Sequence, residues 1–312
     1  MKSSYRYTGL VAAPFTPFND DLSLNTDVIE DYAQMLHANG VGAVFICGTT
    51  GEGASMTVVE RLAVAEEWRR VAPPGLRIIV HAGHTCLTDA RTIASHAASI
   101  GVDAVAAMAP YFFRPDSVAG LVGWCSAIAS AAPALPFYYY NIPSMTGVDI
   151  PVANFLQGVG GEIPNLAGVK YTYENLADYG VCVEHGQGCY DILFGRDELL
   201  LEGMVHGAKG AVGSTYNYAA PLYLRLMEAF REGDRQEARR CQDLAIRMID
   251  ICNSMGVSHL AASKALMKTI GVDCGPPRQP LAGLNPAGLV ALRQSLRDIG
   301  FQDFACGVGV RS

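Results

Sequence analysis

Among the five lysines of this 312-residue chain, only Lys170 closes an apolar run with strand character, Leu166-Ala167-Gly168-Val169-Lys170. An amine at the end of a buried strand could attack a ketone, provided that it is neutral. Moving a lysine from about 10.4 to near pH 7 costs the ammonium form about 4 kcal/mol, which an apolar, partly desolvated pocket supplies. The same side chain could instead reach solvent or pair with Glu174.

Other stretches carry groups suited to a keto acid. Gly48-Thr49-Thr50-Gly51-Glu52-Gly53 offers two hydroxyls and glycine-permitted backbone N–H groups that could converge on a carboxylate, or it is an ordinary turn ahead of a helix. In Phe137-Tyr138-Tyr139-Tyr140-Asn141-Ile142-Pro143, a period of two puts Tyr138 and Tyr140 on one face and Tyr139 on the other. A strand-end tyrosine can shuttle a proton, although aromatic strands commonly build core. Asp197 and Glu198 could accept hydrogen bonds from sugar hydroxyls, or simply favour the first turn of a helix. Gly210 to Asn217, including Ser214, could receive a phosphate or polyhydroxyl tail at a helix N-terminus, or serve as a cap. His81 and His84 lack a carboxylate at metal-ligand spacing, so no metal site is expected.

These residues need elements to hold them. Eight short β-rich runs recur: 9–14, 43–46, 77–81, 104–107, 136–140, 166–171, 191–195 and 211–213. Helical apolar spacing lies between them, as in Val28-Tyr32-Met35-Leu36 and Ile93-Ala97-Ile100. Several runs are almost wholly apolar, as in parallel strands covered on both faces. Eight such units in roughly 230 residues fit a closed (β/α)8 barrel better than an open sheet, and no GxGxxG follows the first strand. The pattern then turns helical over 220–232, 234–254, 258–270 and 286–299. We expect a catalytic TIM barrel over residues 1–232 and a C-terminal helical bundle and tail over 233–312. Cys274-Gly275-Pro276-Pro277 reads as a loop and the last dozen residues as a loose tail.

Composition narrows the setting. Half the residues are apolar and 17% charged, which supports a large core. A net charge of −7 leaves no footprint for nucleic acid, so an anionic ligand must be held by local groups. Nine cysteines without CxxC spacing argue against a secreted disulfide framework. Met1 to Arg6 lacks a secretory h-region, and no apolar stretch reaches the roughly 20 residues of a membrane helix. The expectation is a cytoplasmic, soluble protein with neither membrane nor nucleic-acid partners.

Taken in order, Gly48-Thr49-Thr50-Gly51-Glu52, Tyr140-Asn141-Ile142-Pro143, Gly168-Val169-Lys170-Tyr171-Thr172, Phe194-Gly195-Arg196-Asp197-Glu198 and Gly213-Ser214-Thr215-Tyr216-Asn217 resemble the N-acetylneuraminate lyase and dihydrodipicolinate synthase superfamily of Schiff-base aldolases. The resemblance runs from about Gly9 through the C-terminal helices. It implies that Lys170 forms the Schiff base, that Tyr140 transfers protons, and that Thr49 and Thr50 hold the pyruvoyl carboxylate. By the same resemblance Thr172, Gly195, Asp197, Glu198 and Ser214 contact the substrate, and no metal or organic cofactor is required. The hydroxylated-tail positions favour the lyase branch, with a keto sugar acid and pyruvate as small-molecule partners and a homotetramer as the assembly.

Two departures matter. Met145 stands where a synthase carries arginine for its second substrate, and Phe112 falls where many members place a relay tyrosine lent by a neighbouring subunit. Ala132 to Tyr140 is similar to animal-type lyases, some of which carry phenylalanine at the relay position. The rivals are another pyruvate aldolase acting on a 2-keto-3-deoxy sugar acid or 4-hydroxy-2-oxoglutarate, a dihydrodipicolinate synthase, and a non-catalytic keto-acid-binding barrel.

Overall fold

The computed structural model describes residues 6–307; the expectations for Met1 to Tyr5 and for residues 308–312 lie outside the described residues. Eight parallel strands close in sequence order into one barrel: β1 (Gly9–Ala12), β2 (Ala43–Ile46), β3 (Arg77–His81), β4 (Ala104–Met108), β5 (Phe137–Asn141), β6 (Leu166–Tyr171), β7 (Asp191–Phe194) and β8 (Gly210–Gly213). β1 pairs with β8 from Gly9↔Gly210 to Ala12↔Gly213, which completes the ring and leaves no open edge. β1 stops two residues before the expected end because Pro14 has no N–H to continue the ladder.

Alternation along each strand divides the core in two. Val11, Ala43, Phe45, Ile79, Ala106, Tyr138, Tyr140, Leu193 and Val212 point inward and fill the barrel. Leu10, Val44, Ile78, Val105, Tyr139, Val169 and Ile192 face the surrounding helices. The opposition of Tyr138 and Tyr140 to Tyr139 therefore holds. The first outer helix, Val28–Ala38, buries Ile29, Tyr32, Ala33, Met35 and Leu36 on one stripe. Val58–Val71 starts at a capping box in which Thr57 and Glu60 satisfy each other's backbone N–H groups.

The helix after β8 spans Tyr216–Glu232, four residues earlier than the apolar spacing suggests. Pro221 lies inside it and Ala219 leaves helical geometry, so the first turn is kinked and hard to recognise from sequence. Arg235–Asn253, His259–Met267 and Pro286–Asp298 follow and pack around it and one another. The expectation of a loose tail fails as far as Gly307. Phe301–Asp303 forms a 3-10 turn, and Phe301, Phe304 and Cys306 are buried. The Cys306 N–H donates to the Tyr218 carbonyl at 2.8 Å. Among the described residues no helix is long and apolar enough to cross a membrane.

One buried ion pair ties the C-terminal helices to the barrel. Lys264, on His259–Met267, donates to Glu52 Oε1 at 2.7 Å with both side chains essentially sealed from solvent. The other carboxylate oxygen, Oε2, accepts the Arg278 backbone N–H at 2.7 Å. Removing one member of such a pair strands the other charge in the interior. Lys264→Met should therefore lower the unfolding free energy by about 3–5 kcal/mol in denaturant titrations. A loss below about 1 kcal/mol, the scale of a surface pair, would contradict this role.

Candidate active site

The C-terminal ends of the strands open into a cavity of about 330 Å³ lined by all nine residues singled out from sequence: Thr49, Thr50, Tyr140, Lys170, Thr172, Gly195, Asp197, Glu198 and Ser214. β6 carries Lys170 inward in register with Tyr140 on β5 and Leu193 on β7. Its amine sits 4.0 Å from the Phe45 ring centroid and 4.2 Å from that of Tyr140. Ring faces attract an ammonium, but lost hydration is the larger effect, and burial draws Lys170 from its ordinary 10.5 down to about 7. Asp197 opposes that shift through space. Glu174, the alternative partner for Lys170, instead lies 3.9 Å from Arg196.

Tyr140 is enclosed between Phe45 and His81, with ring centroids at 5.3 and 5.6 Å. Burial pushes its phenol up to about 12, only partly offset by a 3.2 Å hydrogen bond with the Thr49 hydroxyl. His81 is held well below its ordinary value, by burial first and then by Arg61, so beneath the site it is a neutral ring. Among the described residues no group of three or more His, Cys, Asp or Glu side chains is placed to hold a metal ion.

The threonine loop is shaped by its backbone. Cys47 and Glu52 both take positive φ, at 57° and 53°, which non-glycine residues adopt only when their surroundings enforce it. A Cβ on Gly53 would lie 2.0 Å from the Cys47 carbonyl oxygen, so the chain can fold back here only as glycine. Thr16 fastens the loop by donating to the Gly51 carbonyl at 2.6 Å. Lys264 holds Glu52 from behind.

On another wall Asp197 is buried and its Oδ2 accepts from the Thr215 N–H at 2.9 Å and the Thr215 hydroxyl at 2.7 Å. Its Oδ1 has no well-formed hydrogen bond, and burial raises the carboxyl to about 6. Glu198 is already engaged, 2.8 Å from Arg196. Thr172 presents a buried hydroxyl that also lacks a well-formed hydrogen bond, beside Gly195, where a Cβ would lie 2.1 Å from that oxygen. Met145 lines the rim with an uncharged thioether. Phe112 is 75% exposed, stacked edge-on against Phe113, and does not line its own chain's cavity.

Sequence reading missed Arg196 and, more seriously, Ile249, Asn253 and His259, which complete the outer wall from the C-terminal helices. Nothing in their local spacing distinguishes them from helix-surface residues.

Residues 6–298 match the dihydrodipicolinate synthetase family. The chain belongs to this family. It is 39% identical to the N-acetylneuraminate lyase of Rattus norvegicus over 300 residues, covering 95% of this chain and 93% of that one. It is 42% identical to the Xenopus tropicalis N-acetylneuraminate lyase over 279 residues, or 88% and 91% of the two chains. The solved structure of Proteus mirabilis N-acetylneuraminate lyase superposes with a TM-score of 0.92 at 40% identity, covering 95% of this chain and all of that one.

Because burial sets the Lys170 equilibrium, the rate of imine formation with pyruvate should rise through about pH 7 and level off above it. A limb near pH 10 would show an ordinary ammonium. The same burial destabilises the fold. Below about 7 the amine is protonated in both native and unfolded chains, and above about 10.5 it is neutral in both. Between those limits only the unfolded chain keeps the proton, so the destabilisation fades as pH rises. Lys170→Met should then be more stable than wild type by on the order of 2–4 kcal/mol at neutral pH, with the gain shrinking toward pH 10 in calorimetry.

Proposed function

We propose that this chain is an N-acetylneuraminate lyase, a class I aldolase that cleaves N-acetylneuraminate to N-acetylmannosamine and pyruvate through an imine on Lys170. The observation that carries the mechanism is the buried Lys170 amine, drawn down to about 7 and facing the same cavity as the threonine loop and the Asp197 wall. Identities of 39–42% to lyases, over most of each chain, support the substrate.

Thr49 and Thr50 bind the substrate carboxylate, which sets the ketone carbon against Lys170. The amine lone pair attacks that carbon, the carbonyl oxygen leaves as water, and a protonated imine results. The hydroxyl beyond the next carbon–carbon bond then gives up its proton. Those electrons form the sugar aldehyde, the carbon–carbon bond breaks, and its pair moves to the iminium nitrogen as an enamine. A phenol near 12 is protonated at neutral pH, so Tyr140 works as a relay, taking the hydroxyl proton while passing its own to the carboxylate held by the threonines. Protonation of the enamine carbon and hydrolysis release pyruvate and restore Lys170. The sequence of bonds requires no metal and no organic cofactor. Asp197, Glu198 and Ser214 line the wall that receives the hydroxylated tail, with Asp197 held in place by Thr215.

Borohydride with saturating pyruvate should add an irreversible mass to the peptide bearing Lys170, and Lys170→Ala should abolish both labelling and turnover. Unlabelled wild-type protein would end this reading. Asp197→Asn should raise KM for N-acetylneuraminate at least about tenfold while labelling by pyruvate persists, as expected for loss of a charged hydrogen bond. Faster cleavage of 4-hydroxy-2-oxoglutarate or a 2-keto-3-deoxy sugar acid would reassign the substrate.

We also place the protein in the cytosol as a homotetramer. Nine free cysteines suit a reducing compartment, and the exposed Phe112–Phe113 pair offers an apolar contact to a second copy. Light scattering should return four times the 33.2 kDa chain mass; a monomer would refute the assembly.

A further inference from the structure

A single file of hydrogen bonds leads from the buried start of the helix Tyr216–Glu232 to the mouth of the cavity. Tyr218 OH lies 3.1 Å from Ser263 Oγ, Ser263 Oγ lies 3.2 Å from His259 Nε2, and His259 Nδ1 lies 3.0 Å from Asn253 Oδ1. The direction of donation is fixed from the Asn253 end: a carboxamide oxygen can only accept, so His259 Nδ1 carries the N–H. At the other end Tyr218 is fully buried, and burial holds its phenol well above its ordinary value, so it keeps its proton beside Ser263. His259 is kept neutral by burial, which lowers it from its usual range, and therefore has one N–H. With that N–H on Nδ1, facing the Asn253 carboxamide oxygen, Nε2 accepts from the Ser263 hydroxyl.

The consequence falls on Asn253. Its oxygen accepts the His259 N–H, which leaves the NH2 to donate to a ligand, on an exposed residue that lines the cavity at the end of the helix Arg235–Asn253. Asp197 and Glu198 line the same cavity and are acceptors for hydroxyl protons, whereas the Asn253 amide is a donor. A ligand that satisfies both must offer hydroxyl donors to the carboxylates and an acceptor oxygen to Asn253, beyond the bond that is cleaved.

We infer that Asn253 is a specificity residue for the distal part of the substrate, donating from Nδ2 to a carbonyl or hydroxyl oxygen there. His259 is the positioning residue that fixes the orientation of the carboxamide. This assignment rests on the aldolase reading above and extends it. A short keto acid that ends near the cleaved bond does not reach Asn253, so the pair separates long hydroxylated substrates from short ones without touching the chemistry at Lys170.

The test is steady-state pyruvate release from N-acetylneuraminate and from 4-hydroxy-2-oxoglutarate, measured on the full chain. Asn253→Ala should raise KM for N-acetylneuraminate about tenfold, the usual weight of one polar contact, with kcat little changed and the short substrate unaffected. Asn253→Asp keeps the oxygen that His259 grips and removes the donor, so it should be at least as impaired. His259→Ala should give a smaller KM increase on the long substrate, recovered in part by His259→Gln, whose amide N–H can again donate to Asn253. The Asn253→Ala/His259→Ala double variant should be no worse than Asn253→Ala alone. Equal effects on both substrates, or normal KM in Asn253→Asp, would overturn the inference while leaving the aldolase intact. Wild-type protein that releases no pyruvate from either substrate would instead sink the aldolase reading itself.

Discussion

An amine can stay in an apolar interior only by giving up its proton or by keeping a counter-charge in contact, because an unpaired buried ion costs several kcal/mol. The two lysines buried among the described residues take opposite routes. Lys264 meets Glu52 at 2.7 Å and remains an ion, and its work is structural. Lys170 meets the faces of Phe45 and Tyr140, with Asp197 acting only through space, and settles near neutrality at about pH 7. A carboxylate in direct contact would restore the ammonium. Phe45 on β2 and Tyr140 on β5 stand beside the amine instead.

The rest of the site is arranged around this requirement. Closing the sheet puts β5, β6 and β7 side by side, so Tyr140, Lys170 and Leu193 share one level of the barrel. The polar groups a keto sugar acid needs are then displaced outward, to loops whose backbones are individually constrained. Glu52 and Cys47 hold positive φ in the threonine loop, and Asp197 is fixed by two hydrogen bonds from Thr215. Binding groups stand on a firm frame, and the amine stays dry beneath them.

The C-terminal helices belong to the same design. Lys264 and Arg278 hold Glu52 from outside the barrel, while Asn253 and His259 add to the cavity's outer wall. A barrel alone would leave the threonine loop without its buried counter-charge and the cavity without its outer wall. This accounts for an extension packed so tightly that even Phe301, Phe304 and Cys306 are buried.

Much of this was legible in the chain itself. Parallel strands covered on both faces must be nearly continuous in apolar residues, so all eight could be located, and a lysine ending one of them is conspicuous because an amine there is costly. The period of two placed Tyr140 inward, and ordered short motifs located other residues that line the cavity. Tertiary structure alone decided the pairings. Whether Lys170 would meet Glu174 or an aromatic ring, whether Glu52 would face solvent or Lys264, and whether Asn253 would line a cavity all depend on segments far apart in the chain. Local periodicity reports which face of an element is buried; it is silent on what stands opposite, and at a buried charge it is the neighbour across the gap that sets the chemistry.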